Sequence, residues 1–189
     1  NPAWRLTWAL STLKTPDEKV QIKGFYDKVA QPTKEELETL KNMDYQEKET
    51  LDNIGLDAFL LDLSGLPLKE KLVYQPTCTI CGLVSGYTGE GSKTVLPSEA
   101  RAKIDFRLVP HQDPDEIYEL LRSHLDEHGF SDIEMISHSG AFAAKTDPGN
   151  ALVQSATETA REVYGSEPNQ MPMSPGTGPM YDLCQKLGI

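Results

Sequence analysis

The sequence predicts an α+β fold whose first part follows a ferredoxin-like order with its first strand missing. Three observations carry this. A strand with clean alternation covers Arg101 to Val109, a well-capped amphipathic helix follows from Asp113 to Gly129, and the character of the chain changes at Phe142. Reading along, the order is helix, strand, charged insert, strand, strand, helix, strand. Without the insert this is α-β-β-α-β. A βαββαβ domain with an antiparallel sheet and two helices on one face needs one more strand before Asn1.

Pro2 to Lys14 reads as the first helix, with Pro at an early position and Trp4 and Trp8 spaced i, i+4. Leu13 extends its apolar side, and Thr15-Pro16-Asp17-Glu18 breaks it. Val20 to Phe25 is a short strand candidate. The stretch Lys34 to Asp57 holds eight acids and three bases and reads as one or two solvated helices, with Leu37, Leu40, Leu51 and Ile54 as the apolar positions. Gly65 to Pro67 reads as a turn. Thr77 to Val84 is a strand, and Gly86 to Gly91 is a glycine-rich turn.

In the strand after it, Ala102, Ile104, Phe106 and Leu108 face one side, while Lys103, Asp105 and Arg107 face the other. Asp113 then caps a helix, Pro114 takes its first position, and Glu116 completes a capping-box-like pair. Ile117, Leu120, Leu121 and Leu125 form its apolar stripe. Ile133 to Ser137 reads as a last strand. Beyond Phe142, Asp147-Pro148 opens a helix that runs to Tyr164 and closes at Gly165. A stiff Pro- and Gly-rich loop, Met171 to Pro179, follows it. The expected organisation is one domain over residues 1–141, with a charged helical insert at about 27–72, and part of a second, α/β domain over 142–189. Asn1-Pro2 at one end and an apolar Ile189 at the other read as the ends of a fragment.

The 189 residues carry 18 basic and 29 acidic side chains, a formal charge of −11. Such a surface suits neither nucleic-acid phosphates nor anionic lipid. A content of 38% hydrophobic and 25% charged residues is globular, and no apolar run reaches the length of a membrane span. The three cysteines, Cys78, Cys81 and Cys184, are an odd count and fit reduced thiols in the cytoplasm better than a disulfide framework.

Several short motifs invite chemistry. Gly86 to Thr94 approaches a phosphate-binding loop, but Ser92 separates Gly91 from Lys93, and a strand follows where a helix N-terminus is required. Cys78-Thr79-Ile80-Cys81 has zinc-knuckle spacing, yet i and i+3 on a strand diverge, so both read as buried free thiols. His124-Leu125-Asp126-Glu127-His128 matches H-x-x-E-H. Both histidines fall beside Ile117 and Leu121 on the stripe that faces the sheet, and a catalytic zinc needs a third ligand. They read as packed histidines. Arg107 reads from chemistry alone as a salt-bridged surface residue; the sharper reading is a bidentate clamp on a carboxylate. Trp4 and Trp8 belong to a core or to an interface.

Three stretches carry a family resemblance. They are Pro76-Thr77-Cys78-Thr79-Ile80-Cys81-Gly82, Gly86-Tyr87-Thr88-Gly89-Glu90-Gly91-Ser92-Lys93-Thr94-Val95-Leu96-Pro97 and Lys103-Ile104-Asp105-Phe106-Arg107-Leu108-Val109-Pro110. Together they resemble the lid, or dimerisation, domain of the co-catalytic zinc exopeptidases, among which are the cytosolic and carnosine dipeptidases, the aminoacylases and the desuccinylases. Asn1-Pro2 resembles the start of the first lid helix. Gly176-Thr177-Gly178-Pro179 resembles the glycine-rich substrate loop of the catalytic domain. The likeness is weakest over Asp27 to Leu72.

That resemblance implies a four-stranded lid interrupting a catalytic α/β domain, with two lids pairing into a homodimer. It implies two zinc ions and a bridging water that attacks the amide of a dipeptide or N-acyl amino acid, with a Glu as base. It assigns no catalytic or metal-binding residue to this chain: His111, His124, His128 and His138 match no ligand position, and the ligands are expected before Asn1 and after Ile189. The chain alone is therefore expected to be inactive. It assigns substrate contacts to Arg107, on the terminal carboxylate, to Thr94, reaching the neighbouring subunit's substrate, and to Gly176, Thr177 and Gly178. Two rival readings are a free-standing ferredoxin-like ligand-binding or regulatory module and a small zinc hydrolase built on His124 and His128.

Overall fold

Two antiparallel strands, β1 (Thr77–Ser85) and β2 (Ala100–Arg107), pair as a hairpin. The computed structural model describes residues 1–138 and 140–188. Six α-helices accompany the hairpin among the described residues: α1 (Pro2–Ser11), α2 (Lys34–Asn42), α3 (Glu47–Ile54), α4 (Gly65–Tyr74), α5 (Pro114–Glu127) and α6 (Ala151–Tyr164). The chain divides into two compact units. The first is Asn1–Val29 with Pro76–Phe142, and the second is Ala30–Gln75 with Ala143–Ile189. The charged stretch 30–75 thus shares a unit with the C-terminal segment.

In the first unit the hairpin register runs from Thr77↔Arg107 to Ile80↔Ile104 and resumes at Gly82↔Lys103. Cys81 is the extra residue of a β-bulge. The alternation expected in β2 holds. Ile104 and Phe106 pack on the core, while Arg101, Lys103 and Arg107 are exposed. The core gathers Ala9 from α1, Leu13 just beyond it, Ile117, Leu121 and Leu125 from α5, and Cys78 from β1. Phe25 lies at its centre, 1% exposed, with the Phe106 ring 5.8 Å and the Tyr26 ring 5.0 Å from its own.

Each helix end has its chemical cause. Asn1 caps α1 by accepting from the Ala3 N–H, and Pro2 stands at the first turn. The helix ends at Ser11, short of Lys14, where the Ser11 and Thr12 hydroxyls donate back to the Trp8 and Ala9 carbonyls. Asp113 caps α5 through the Asp115 N–H. Glu116 completes no capping box there and pairs instead with Lys28. At the other end, the Phe130 N–H reaches Leu125 O and the Gly129 N–H reaches Asp126 O, with Gly129 at φ +79°. This paired closure needs a left-handed residue, which Gly supplies.

Two expected strands do not form. Val20 makes a single bridge to Lys14, and 21–28 turns on itself, sending Ile22 and Phe25 inward; Gly24 at φ +85° permits the turn. Ile133 to Ser137 joins no ladder because α5 side chains take its carbonyls. Arg122 donates to Ile133 O at 2.7 Å, and the Tyr118 hydroxyl donates to Met135 O at 3.0 Å. The α+β class holds, with a sheet of two strands among the described residues.

The second unit packs α2 against α4 around Leu40, Met43, Val73 and Tyr74. Thr33 and Glu36 make a full capping box on α2. The other Glu36 carboxylate oxygen pairs with Lys145. Burial pushes this carboxyl up, but Lys145 and the Thr33 N–H outweigh it and hold it below its ordinary range. Asn169 accepts from the Asp44 N–H at 3.1 Å and donates to Asp44 O at 2.8 Å. Gly65 to Pro67, expected as a turn, is the first turn of α4, where Pro is tolerated. Helix α6 begins at Ala151, capped by Asn150, because the Asp147 side chain is engaged by the Gly149 N–H.

Gln112 ties the first unit together. It is 2% exposed; its Oε1 accepts from the Val109 N–H at 3.0 Å, and its Nε2 donates to Phe25 O at 2.8 Å. Gln112→Ala leaves both buried backbone groups unsatisfied, a loss of about 2–3 kcal/mol. Urea midpoints of the two proteins measure this; equal midpoints would contradict the role.

Candidate functional site

Arg107 is the last residue of β2 and projects from the outer face of the hairpin. Residues i and i+2 on a strand share a face. Accordingly the Arg107 Nε donates to the Asp105 carboxylate at 2.6 Å. The ion pair is exposed on both sides, so it orients the guanidinium rather than stabilising the fold. A planar cationic fork held on a strand can grip a carboxylate through two parallel bonds.

Thr94 lies exposed in the loop 86–99, which leaves the hairpin at its Ser85 and Ala100 end. Arg107 stands at the other end, and seven residue steps of β2 span about 24 Å. The loop is organised around Tyr87. The Tyr87 hydroxyl donates to Glu90 O at 2.8 Å, and the Lys93 ammonium sits 5.6 Å from the ring centroid. A Cβ on Gly89 would lie 2.6 Å from the Tyr87 oxygen, so a side chain there would push the exposed ring aside. Ser85 closes the loop base by donating to Glu99 O at 2.8 Å. Tyr87 and Gly89 stand inside the near-match to a phosphate loop, which hides their part in bracing the turn; their Tyr-x-Gly spacing is the one signal that marks them.

Gly176, Thr177 and Gly178 lie in the second unit, in the exposed loop Met171 to Pro179, where Ser174 Oγ accepts from the Gly176 N–H at 3.2 Å. Within the first unit, Arg107 and Thr94 belong to opposite ends of one hairpin and build no shared site.

The other motifs resolve differently from one another. His124 is 4% exposed, and His128 is exposed, its ring stacked 4.1 Å away, so only one of the two histidines is packed as expected. The Thr12 hydroxyl donates to Ala9 O, so it accepts from His124 Nε2–H at 3.0 Å. His128 Nδ1 donates to His124 O at 2.7 Å. No group of three or more His, Cys, Asp or Glu that could hold a metal ion occurs among the described residues. Cys78 is a buried free thiol, pushed up to about 11 by burial. Cys81, expected to be buried, is exposed because three residues on from the buried Cys78 it faces the other side of β1. Gly86 to Thr94 leads into β2, not a helix, so it makes no phosphate cradle. Trp4 and Trp8 are not core residues; they are 60% and 55% exposed.

Burial, and then the neighbouring His128, hold the His124 pKa below its ordinary value. The folded state therefore binds this proton less readily than the unfolded chain, whose histidines titrate near about 6.5. Stability from His124 is intact above that pH and falls as the pH drops below it. Urea midpoints at pH 7.5 and pH 5 should differ more for the native chain than for His124→Leu. Equal pH dependence would contradict the buried neutral imidazole.

Comparison with known proteins gives a consistent set of likenesses. A family model described as a peptidase dimerisation domain matches residues 3–133. The Cys-Gly metallodipeptidase DUG1 of Saccharomyces cerevisiae is 27% identical over 175 residues, covering 89% of this chain and 36% of that enzyme. The Beta-Ala-His dipeptidase of Homo sapiens is 26% identical over 177 residues, covering 90% of this chain and 34% of its own. Among solved structures, the M20 family metallo-carboxypeptidase Sso-CP2 from Sulfolobus solfataricus superposes with a TM-score of 0.93 at 41% identity, covering 100% of this chain and 43% of that one. Human carnosine dipeptidase 1 superposes at 0.76 with 25% identity, covering 98% of this chain and 40% of that one. The chain thus spans about a third of the length of the two curated dipeptidases.

Proposed function

Because the chain belongs to the M20 metallopeptidase family, whose dimerisation domain matches residues 3–133, we propose that it serves a dimeric exopeptidase that hydrolyses dipeptides. That match is the observation that carries the reading. The first unit acts as a ferredoxin-like lid that pairs with a second copy. Arg107 binds the free terminal carboxylate of the substrate, Thr94 reaches the substrate of the neighbouring subunit, and Gly176, Thr177 and Gly178 form a substrate loop.

Several features support these roles. An exopeptidase must sense a free chain end, and a guanidinium aimed by Asp105 is chemically suited to a carboxylate. Thr94 and Arg107 leave one hairpin from opposite ends, which suits two residues that serve two different sites. Loop Gly176 to Gly178 offers backbone N–H groups with no bulky side chain of its own. N-acyl amino acids carry the same terminal carboxylate and are a second substrate class for the same contacts.

A pair of zinc ions supplies the hydrolytic chemistry in this reading. In this reading the metal ligands and the catalytic base belong to other parts of the enzyme, and the 189-residue chain alone is inactive. Its acidity argues against nucleic-acid partners. No helix among the described residues is long and apolar enough to cross a membrane, and the three free thiols support a reducing, cytoplasmic setting.

Arg107→Ala in the full-length enzyme removes a charge-assisted bond worth about 1.5–3 kcal/mol, or about 10- to 150-fold in kcat/KM on dipeptides. Arg107→Lys recovers part of the loss, and C-terminally amidated dipeptides are insensitive to the change. Equal kcat/KM for the native enzyme and Arg107→Ala on free dipeptides would refute the assignment.

A further inference from the structure

The loop Met171 to Pro179 is rich in Pro and Gly, yet its stem is tied down on two sides within the second unit. Asn169 uses its side-chain amide as a strand uses its backbone. Its Oδ1 accepts from the Asp44 N–H at 3.1 Å, and its Nδ2 donates to Asp44 O at 2.8 Å. The next residue reaches the other way: Gln170 Nε2 donates to the Thr157 hydroxyl of α6 at 3.0 Å. Asp44 is a firm seat. It follows the buried end of α2, where Leu40 is 0% and Met43 2% exposed. The Lys69 ammonium of α4 donates to Lys41 O and Met43 O, carbonyls at the end of α2 that no later turn of the helix could satisfy. The Asp44 carboxylate in turn accepts from the Gln46 N–H at 3.1 Å. Past the stem, Met173 packs on the cluster of Leu40, Met43, Val73 and Tyr74. Gly176, Thr177 and Gly178, which begin three residues further on, are exposed.

We infer that the charged stretch 30–75 positions the loop Met171 to Pro179 for substrate, with Asn169 as the positioning residue and Met173 as a second tether. The inference rests on the reading of Gly176 to Gly178 as a substrate loop and gives the stretch 30–75 its task. A loop that presents backbone N–H groups to a ligand loses affinity to its own conformational freedom, and tethers on either side of it reduce that loss before the ligand arrives. Asn169 fixes where the loop leaves the insert, and Met173 fixes its path up to Ser174. Neither side chain takes part in the hydrolysis. Loosening them weakens substrate and transition state alike, so the effect falls on KM and not on kcat.

Methionine methyl groups read the loop directly. Met171, Met173 and Met180 lie in or beside it, and Met135 lies in the first unit as a control. In the full-length enzyme with labelled methionine methyl groups, each signal is identified by its loss in a Met→Leu variant. Asn169→Ala should move the Met171 and Met173 signals to narrow, random-coil positions and leave Met135 unchanged. The same variant should raise KM for dipeptides about 10-fold with kcat within about 2-fold of the native value. Met173→Ala keeps both bonds at Asp44 and should move the Met171 signal and KM in the same direction. Unchanged Met171 and Met173 signals in Asn169→Ala would overturn the brace and leave the substrate-loop reading standing. A loosened loop with unchanged KM in both variants would overturn the substrate-loop reading, and with it the part of the brace in binding.

Discussion

A hairpin of two strands is marginal in water unless one face is covered. The first unit is organised around that constraint. β1 and β2 give Cys78, Ile104 and Phe106 to one face, and α1, α5 and the turn at 21–28 close over it with Phe25 at the centre. Because the turn is held at Phe25 O by Gln112, the segment before α5 and the segment after α1 are fixed by one side chain. The outer face of β2 is then free to carry Lys103, Asp105 and Arg107, residues that the packing does not need. A rigid strand can present such polar side chains for recognition without disturbing the core.

The same division of faces runs through α1 and α5. Each commits one side to the shared core. On α5, His124 turns inward and bonds to Thr12 just beyond α1, while the exposed side is charged. On α1 the exposed side is aromatic and neutral.

Much of this was legible in the sequence where local chemistry decides. The alternation from Arg101 to Val109, the Asp113-Pro114 start and the Gly129 stop of α5, and the paired helices of the charged stretch all appear as read. The failures are places where a side chain far along the chain competes for the backbone. Ile133 to Ser137 has strand composition, but Arg122 and Tyr118 claim its carbonyls. Val20 to Phe25 alternates adequately, but three of its apolar side chains enter one core by turning. The exposure of Cys81 follows from strand periodicity, which sets it on the face opposite the buried Cys78, whereas the bulge at Cys81 has no local signature. For the candidate site, the residue types of Arg107 and Thr94 were visible through family likeness, whereas their separation along the hairpin and the Tyr87–Gly89 brace needed coordinates.

The central claim is that one hairpin serves two active sites, Arg107 its own and Thr94 its partner's. Mixing full-length Arg107→Ala and Thr94→Ala subunits tests it. Each variant alone is impaired. In a mixed dimer one site carries both defects and the other carries neither, so random exchange of equal amounts restores about a quarter of native activity. Recovery to that level is the result expected. A mixture no more active than the mean of its two components would contradict the account.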